Sequence, residues 1–232
     1  MIRILIATVI LLGGCSKKCE YIGCEYLGKP YLLGALGEEK APGTGPLIRT
    51  DAFDCVTFVE TSLAGGDLEK LTKIRYKNGE IDFMTRNHFT EYDWIGNNDW
   101  LVENVSAQYG KAATINAVID KQAWFKKSHG IDADIKPVKI ALEYIPYENL
   151  QQMEITESMI AMFVRDNPAM REKIGSDLVI VHLGFLLPGG TLRHASSDAR
   201  KVVDVDFYEY AADRAKDHKN KGIALFRIKE SK

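Results

Sequence analysis

Residues 177–187, Asp-Leu-Val-Ile-Val-His-Leu-Gly-Phe-Leu-Leu, constrain the fold of this chain more than any other stretch. An almost unbroken apolar run of this length, stopped by Pro188-Gly189-Gly190, predicts a strand covered on both faces. That is the centre of a sheet. The turn leads into Thr191–Ser197, a second strand, so the two are expected side by side and antiparallel. Each carries a histidine, His182 and His194. An imidazole in an apolar strand needs a polar partner, and across a tight turn each ring can supply one to the other.

Around this pair the chain reads as α+β. Ala112–Trp124 and Lys136–Tyr147 are β-rich by their Ile, Val, Thr and aromatic content. Ser158–Val164 fits either state. Lys201–Asp206 and Gly222–Ile228 read as short strands, with an amphipathic helix over Phe207–His218 between them. Trp100–Tyr109 and Pro146–Met153 suggest short helices. Ile74–Phe83, built on Asn78-Gly79, predicts a β-hairpin with a type I′ turn. Helices first and a mostly antiparallel sheet after them is the α+β order.

The remaining informative stretch is Arg49–Glu60, which contains Cys55. Apolar residues recur at Val56, Val59 and Leu63, the spacing of a helix with one buried face. Asp54 suits the N-cap and Gly65-Gly66 the stop. The Cys55 thiol then sits at a helix N-terminus, where the peptide dipole favours the thiolate, the nucleophilic form. The alternative is a small buried hydrophobe on an amphipathic helix.

The near-balanced charge, −2 over 232 residues, argues against a nucleic-acid partner held by bulk attraction to phosphates. At the N-terminus, Met1-Ile-Arg and the apolar run Ile4–Leu12 fit a signal peptide too short to span a bilayer. Leu12-Gly13-Gly14-Cys15 resembles the lipobox of bacterial lipoproteins, with Cys15 as the lipidated residue. The expected division is therefore a signal peptide over 1–14, a lipidated tether over 15–27 and one domain over 28–232. The expected location is the cell envelope, facing the periplasm, held to a membrane by lipid. Cys19 and Cys24 fall in the tether, where a disulfide and free thiols are both open readings. With no paired Cys or His ligands downstream, a metal site is not expected.

Phe53-Asp-Cys, Asp177-Leu-Val, His182-Leu-Gly-Phe and Arg193-His-Ala-Ser-Ser together resemble the motifs of the NlpC-type cell-wall cysteine peptidases. Pro30-Tyr31-Leu-Leu-Gly34 resembles their Pro-Tyr-x-x-Gly segment. Val56-Thr57-Phe58 departs from the Ser-Gly-Leu that usually follows the cysteine. Tyr31-Leu-Leu-Gly-Ala-Leu-Gly, Arg49–Thr61, Arg86-Asn-His-Phe and Ala123-Trp-Phe are similar to one branch, the N-acetylmuramoyl-L-alanine amidases. The resemblance implies a papain-like core, with Cys55 as nucleophile, His182 as general base and His194 orienting it. It implies Tyr31 as a hydrogen-bonding neighbour of the thiolate. It also implies cleavage of the amide between N-acetylmuramic acid and L-alanine in muropeptides such as anhydromuramoyl peptides. No cofactor is implied, and the expected assembly is a monomer.

Arg49 and Asp51 are candidates for lining the cleft, or for pairing with each other to hold their loop. Arg86, Asn87 and His88 form a polar knot suited to a sugar or a peptide carboxylate, or simply a solvated turn. Trp94 and Trp124 are candidates for stacking on a sugar ring or for the core. Two other functions compete: a γ-D-glutamyl endopeptidase of the same mechanism, and a non-catalytic lipoprotein that binds wall fragments.

Overall fold

The computed structural model describes residues 19–36 and 48–229. The expectations for the signal peptide and for lipidation at Cys15 lie outside the described residues. Among the described residues no helix is long and apolar enough to cross a membrane.

Helix α1, Cys55–Ala64, starts where Asp54 leaves the helical backbone and its carboxylate accepts from Thr57 N at 2.8 Å. It stops at Gly65, which takes the left-handed conformation (φ 60°) that a residue with a Cβ adopts only with strain. Helix α2, Leu68–Arg75, follows at once. A π-helical turn over Thr90–Trp94 runs into α3, Ile95–Asn97. The sheet then begins with β1, Val102–Asn104, α4, Ser106–Tyr109, and β2, Ala113–Ile119. Next come α5, Lys121–His129, β3, Val138–Pro146, β4, Met159–Arg165, and α6, Ala169–Ile174. The chain closes with β5, Ile180–Leu187, β6, Thr191–Ser196, β7, Lys201–Asp206, α7, Phe207–Arg214, and β8, Asn220–Ile228.

All pairings between these strands are antiparallel, in the order β2-β3-β8-β4-β5-β6-β7, with β1 on β8. As the apolar run at 177–187 predicts, β5 is internal, between β4 and β6. The same logic explains β4. Its residues 159–164 are all buried, so no period of 2 or 3.6 was there to read.

Two cores cover the faces of the sheet. On one side, Phe58, Val59 and Leu63 of α1 pack on Leu183, Phe185, Met162 and Phe226, with the Phe58 and Phe185 rings 5.6 Å apart. On the other, Phe207 and Ala211 of α7 pack with Phe163, Leu186, Leu192 and Leu225. Each fully buried Phe contributes roughly 2–3 kcal/mol. This packing fixes the register of β5: Leu183, Phe185 and Leu187 face α1, whereas Leu186 belongs to the α7 side.

Several local expectations need correction. Ile74–Phe83 is not a hairpin. Leu71, Ile74 and Arg75 are the buried face of α2, which runs through Arg75 because its guanidinium pairs with Glu60 of α1. Asn78 (φ 57°) and Gly79 (φ 73°) do take the positive angles that the pair favours, but in a single 3-10 turn. The pairing across that turn is one bridge, Tyr76 to Arg86. Trp124 leaves the predicted strand because Asp120 caps α5, accepting from Ala123 N at 2.8 Å. Trp100–Tyr109 divides into β1 and the single turn α4. Pro146–Met153 holds only a 3-10 turn, Tyr147–Asn149.

Residues 19–27, assigned to the tether, dock on the domain. Cys19 and Cys24 are joined by a disulfide, Tyr21 O and Ile22 O accept from Arg193, and the Tyr26 ring lies 4.8 Å from that of Phe53.

Candidate active site

The N-terminus of α1 is built by a reciprocal cap. Thr57 N donates to Asp54 Oδ1, and Asp54 N donates to Thr57 Oγ1 at 3.0 Å. Threonine here does the work that Glu or Gln does in the usual capping box. Cys55 is the first helical residue, and the Leu183 N–H of β5 is among the backbone groups that favour its thiolate. Burial outweighs those donors. Aided by the Asp54 carboxylate, it pushes the Cys55 thiol up to about 12. At rest the group is a thiol, contrary to the thiolate expected from the helix position alone.

One residue along β5 from Leu183, His182 shares a 2.7 Å hydrogen bond, Nε2 to Nδ1, with His194 of β6. Gly184 makes this approach possible. A Cβ there would stand 2.7 Å from both Arg193 O and His194 Cβ. Phe163 and Tyr210 wall the pair, with ring centroids 5.7 Å from His182 and 5.0 Å from His194 respectively. Burial pushes His182 down to about 3 and His194 down to about 4, so both rings are neutral at pH 7. The structure thus joins the two imidazoles directly. Cys55 comes to the neighbouring backbone of the same strand, with no hydrogen bond to either ring.

The other predicted residues divide. Tyr31 bridges to Phe53, and Leu32 N donates to Phe53 O, which sets Tyr31 against the segment leading into Cys55. Arg49 and Asp51 are held by each other in a bidentate pair (2.8 and 3.0 Å), and Arg49 also donates to Ala35 O. Arg86, Asn87 and His88 line a cavity of about 230 Å³ that Asp54, Val56 and Thr57 also border. Each is partly committed elsewhere. Arg86 donates to the buried Glu60, Asn87 joins Ile74 O to Asn97, and His88 Nε2 lies 2.7 Å from Phe83 O. Burial pushes His88 down to about 3. Trp124 lines the same cavity, 4.7 Å from the His88 ring, whereas Trp94 is fully buried in the core.

Tyr210 of α7 also borders the pair, a contact that its sequence position does not reveal. Its α7 position reads as one residue of an amphipathic helix, and nothing local to it signals contact with strands β5 and β6.

A family model of N-acetylmuramoyl-L-alanine amidase-like proteins, described as AmiA-like, matches residues 21–218. The chain belongs to that family. Among solved structures of similar fold, a protein of Legionella pneumophila placed under the family DUF1460 is 28% identical, with a TM-score of 0.81. The match covers 90% of this chain and 87% of that one. An N-acetylmuramoyl-L-alanine amidase from Bacteroides uniformis is 25% identical, TM-score 0.67, over 90% and 96% of the two chains. A second structure of an amidase from the same organism gives 24% and 0.67 over 90% and 97%, which speaks to the fold alone. No curated protein gives a significant match. The amidase-like family and its mixed antiparallel sheet agree with the α+β fold expected from the chain.

Proposed function

We propose that this member of the amidase-like family cleaves the amide between the lactyl group of N-acetylmuramic acid and L-alanine in muropeptides, on an NlpC-type, papain-like core. The observation that carries the reading is the hydrogen-bonded His182–His194 pair, one residue along β5 from Leu183, whose N–H favours the Cys55 thiolate. When His182 Nε2–H donates to His194 Nδ1, the lone pair of His182 is on Nδ1, the remaining nitrogen able to take a proton.

The thiol and the imidazole are both neutral at rest, so the proton moves as attack occurs. Cys55 Sγ bonds to the carbonyl carbon while His182 takes the thiol proton. The helix-start N–H groups, Cys55 included, stabilise the oxyanion. Collapse breaks the C–N bond, and His182 returns the proton to the leaving L-alanine nitrogen. Water, deprotonated by His182, then hydrolyses the thioester to the lactyl carboxylate and free thiol. The cavity bordered by Thr57, Arg86, Asn87, His88 and Trp124 takes the muramoyl side, with Trp124 as the ring platform. Cys15 carries the lipid that holds the domain at the cell envelope.

Mass spectrometry of the products of a defined disaccharide-tetrapeptide tests the reading. Free disaccharide and intact tetrapeptide are expected. A shortened stem still on the sugar would assign a γ-D-glutamyl endopeptidase instead, and no product at all a binding protein.

A further inference from the structure

A second cavity, of about 180 Å³, is lined by the histidine pair itself. His182, His194 and Tyr210 line it together with Arg165 at the end of β4, Arg214 at the end of α7, Tyr147, and one carboxylate, Asp198. Two guanidinium groups facing one small cavity beside two neutral imidazoles are an unusual concentration of donors. Their acidic partners are weakly held. Arg214 pairs with Asp198 at 2.9 Å, but the Asp198 side chain is 76% exposed, and Arg165 pairs with Asp217, which is 42% exposed. Solvent-screened pairs of this kind exchange easily. By contrast, the Glu60–Arg75 pair is almost fully buried. In addition, Arg165 Nε, Arg214 Nε and Tyr147 Oη are buried with no hydrogen-bond partner among the described residues. Groups of this kind normally have one.

We infer that this cavity binds a carboxylate of the peptide on the amine side of the scissile amide, with Arg214 exchanging Asp198 for the ligand and Arg165 and Tyr147 completing the site. The inference deepens the amidase reading, on which it rests for the identity of the peptide. It also gives the substrate a direction: sugar toward Trp124 and His88, acidic peptide toward Arg165 and Arg214. A guanidinium is the side chain best shaped for such an exchange, because its planar fork accepts either carboxylate in the same geometry.

Calorimetry with the full chain carrying Cys55→Ala tests this, using L-Ala-γ-D-Glu with free carboxylates and the same dipeptide with both carboxylates amidated. The acid form is expected to bind about tenfold tighter or more. Arg214→Gln should remove that preference and Arg165→Gln reduce it, with thermal midpoints of both variants measured to show that they fold. Asp198→Ala should tighten acid binding several-fold, because it releases Arg214. A merely structural role for the Arg214–Asp198 pair would move both variants the same way. Equal binding of acid and amide, no binding of either, same-direction shifts, or acetate or phosphate binding as tightly as the peptide would each overturn the inference. No turnover of muropeptides by the chain with Cys55 intact, with the acid preference present in Cys55→Ala, would sink the amidase reading alone. Intact turnover without the preference would sink only this inference.

Discussion

Two groups of buried polar side chains lie along α1, one beside its start and one at its middle, and they are held in opposite ways. Toward the helix's middle, Glu60 is fully buried and accepts from Arg75 Nε at 2.8 Å and Arg86 Nη2 at 3.4 Å. A similar pair, Lys121 with Asp93 at 2.9 Å, ties α5 to the π-helical turn. Every ionised group there has an opposite charge in contact. At the helix start, Cys55, His182 and His194 have no such partner, and burial keeps all three neutral. On the proposed function, the difference separates scaffold from site. Paired charges have no freedom to change state without large cost, whereas neutral groups can exchange a proton once a bound substrate changes their surroundings and draws their proton affinities together.

The comparison breaks most visibly when one member of each group is removed. Glu60→Gln removes the buried carboxylate charge that Arg75 and Arg86 share and should cost about 3–5 kcal/mol, a fall of roughly 10 °C or more in thermal midpoint. Cys55→Ala should change stability by under about 1 kcal/mol while hydrolysis disappears, because no ion pair is broken. Thermal melts alongside a turnover assay measure both. Similar destabilisation by the two substitutions would erase the distinction.

Gly184→Ala acts on the site from behind. Its Cβ would press on Arg193 O and His194 Cβ, so a cost of about 1–3 kcal/mol is expected together with loss of turnover as the imidazole pair is forced apart. Wild-type activity in this variant would show that the close approach is not needed.

Acid sharpens the contrast further. His88, His182 and His194 are pushed by burial well below the ordinary value of 6.5. Between pH 6.5 and about 4 the unfolded chain therefore binds more protons than the folded one. The stability these residues contribute is complete above pH 6.5 and is lost as pH falls. Denaturation midpoints from pH 7.5 to 4 should drop, and His182→Gln should flatten part of the slope. By the same sign, activity should persist below the ordinary imidazole range, since His182 stays unprotonated there. An acid limb centred on 6.5 would contradict the burial.

The smallest effect belongs to the cap. Thr57→Val removes one side of the Asp54–Thr57 exchange and should cost about 1 kcal/mol by chemical denaturation. No change would mean that the helix start is held by packing alone.

Much of this was legible because it is local or strongly patterned. Asp54 and Gly65-Gly66 bound α1, and the run at 177–187 could only be an internal strand. The two histidines follow from that strand and its turn. What escaped depends on distant contacts. Ile74-Arg75 alternates like a strand, yet belongs to α2 because Arg75 meets Glu60, fifteen residues earlier. Tyr210, Arg165 and Arg214 reach the histidine pair only through the sheet order and the packing of α7. The protonation of Cys55 is hidden from the sequence for the same reason. Its helix position is visible in sequence, but the apolar surroundings that outweigh it are assembled from β5 and the α1-side core.

Acid-quenched turnover, followed by mass spectrometry of the Cys55-containing peptide, tests the central claim most directly. The account predicts a thioester on Cys55 bearing the sugar–lactyl acyl group in the wild type, and none in Cys55→Ala, which should also be inactive. A Cys55→Ala protein that still hydrolyses muropeptides at the wild-type rate would contradict it.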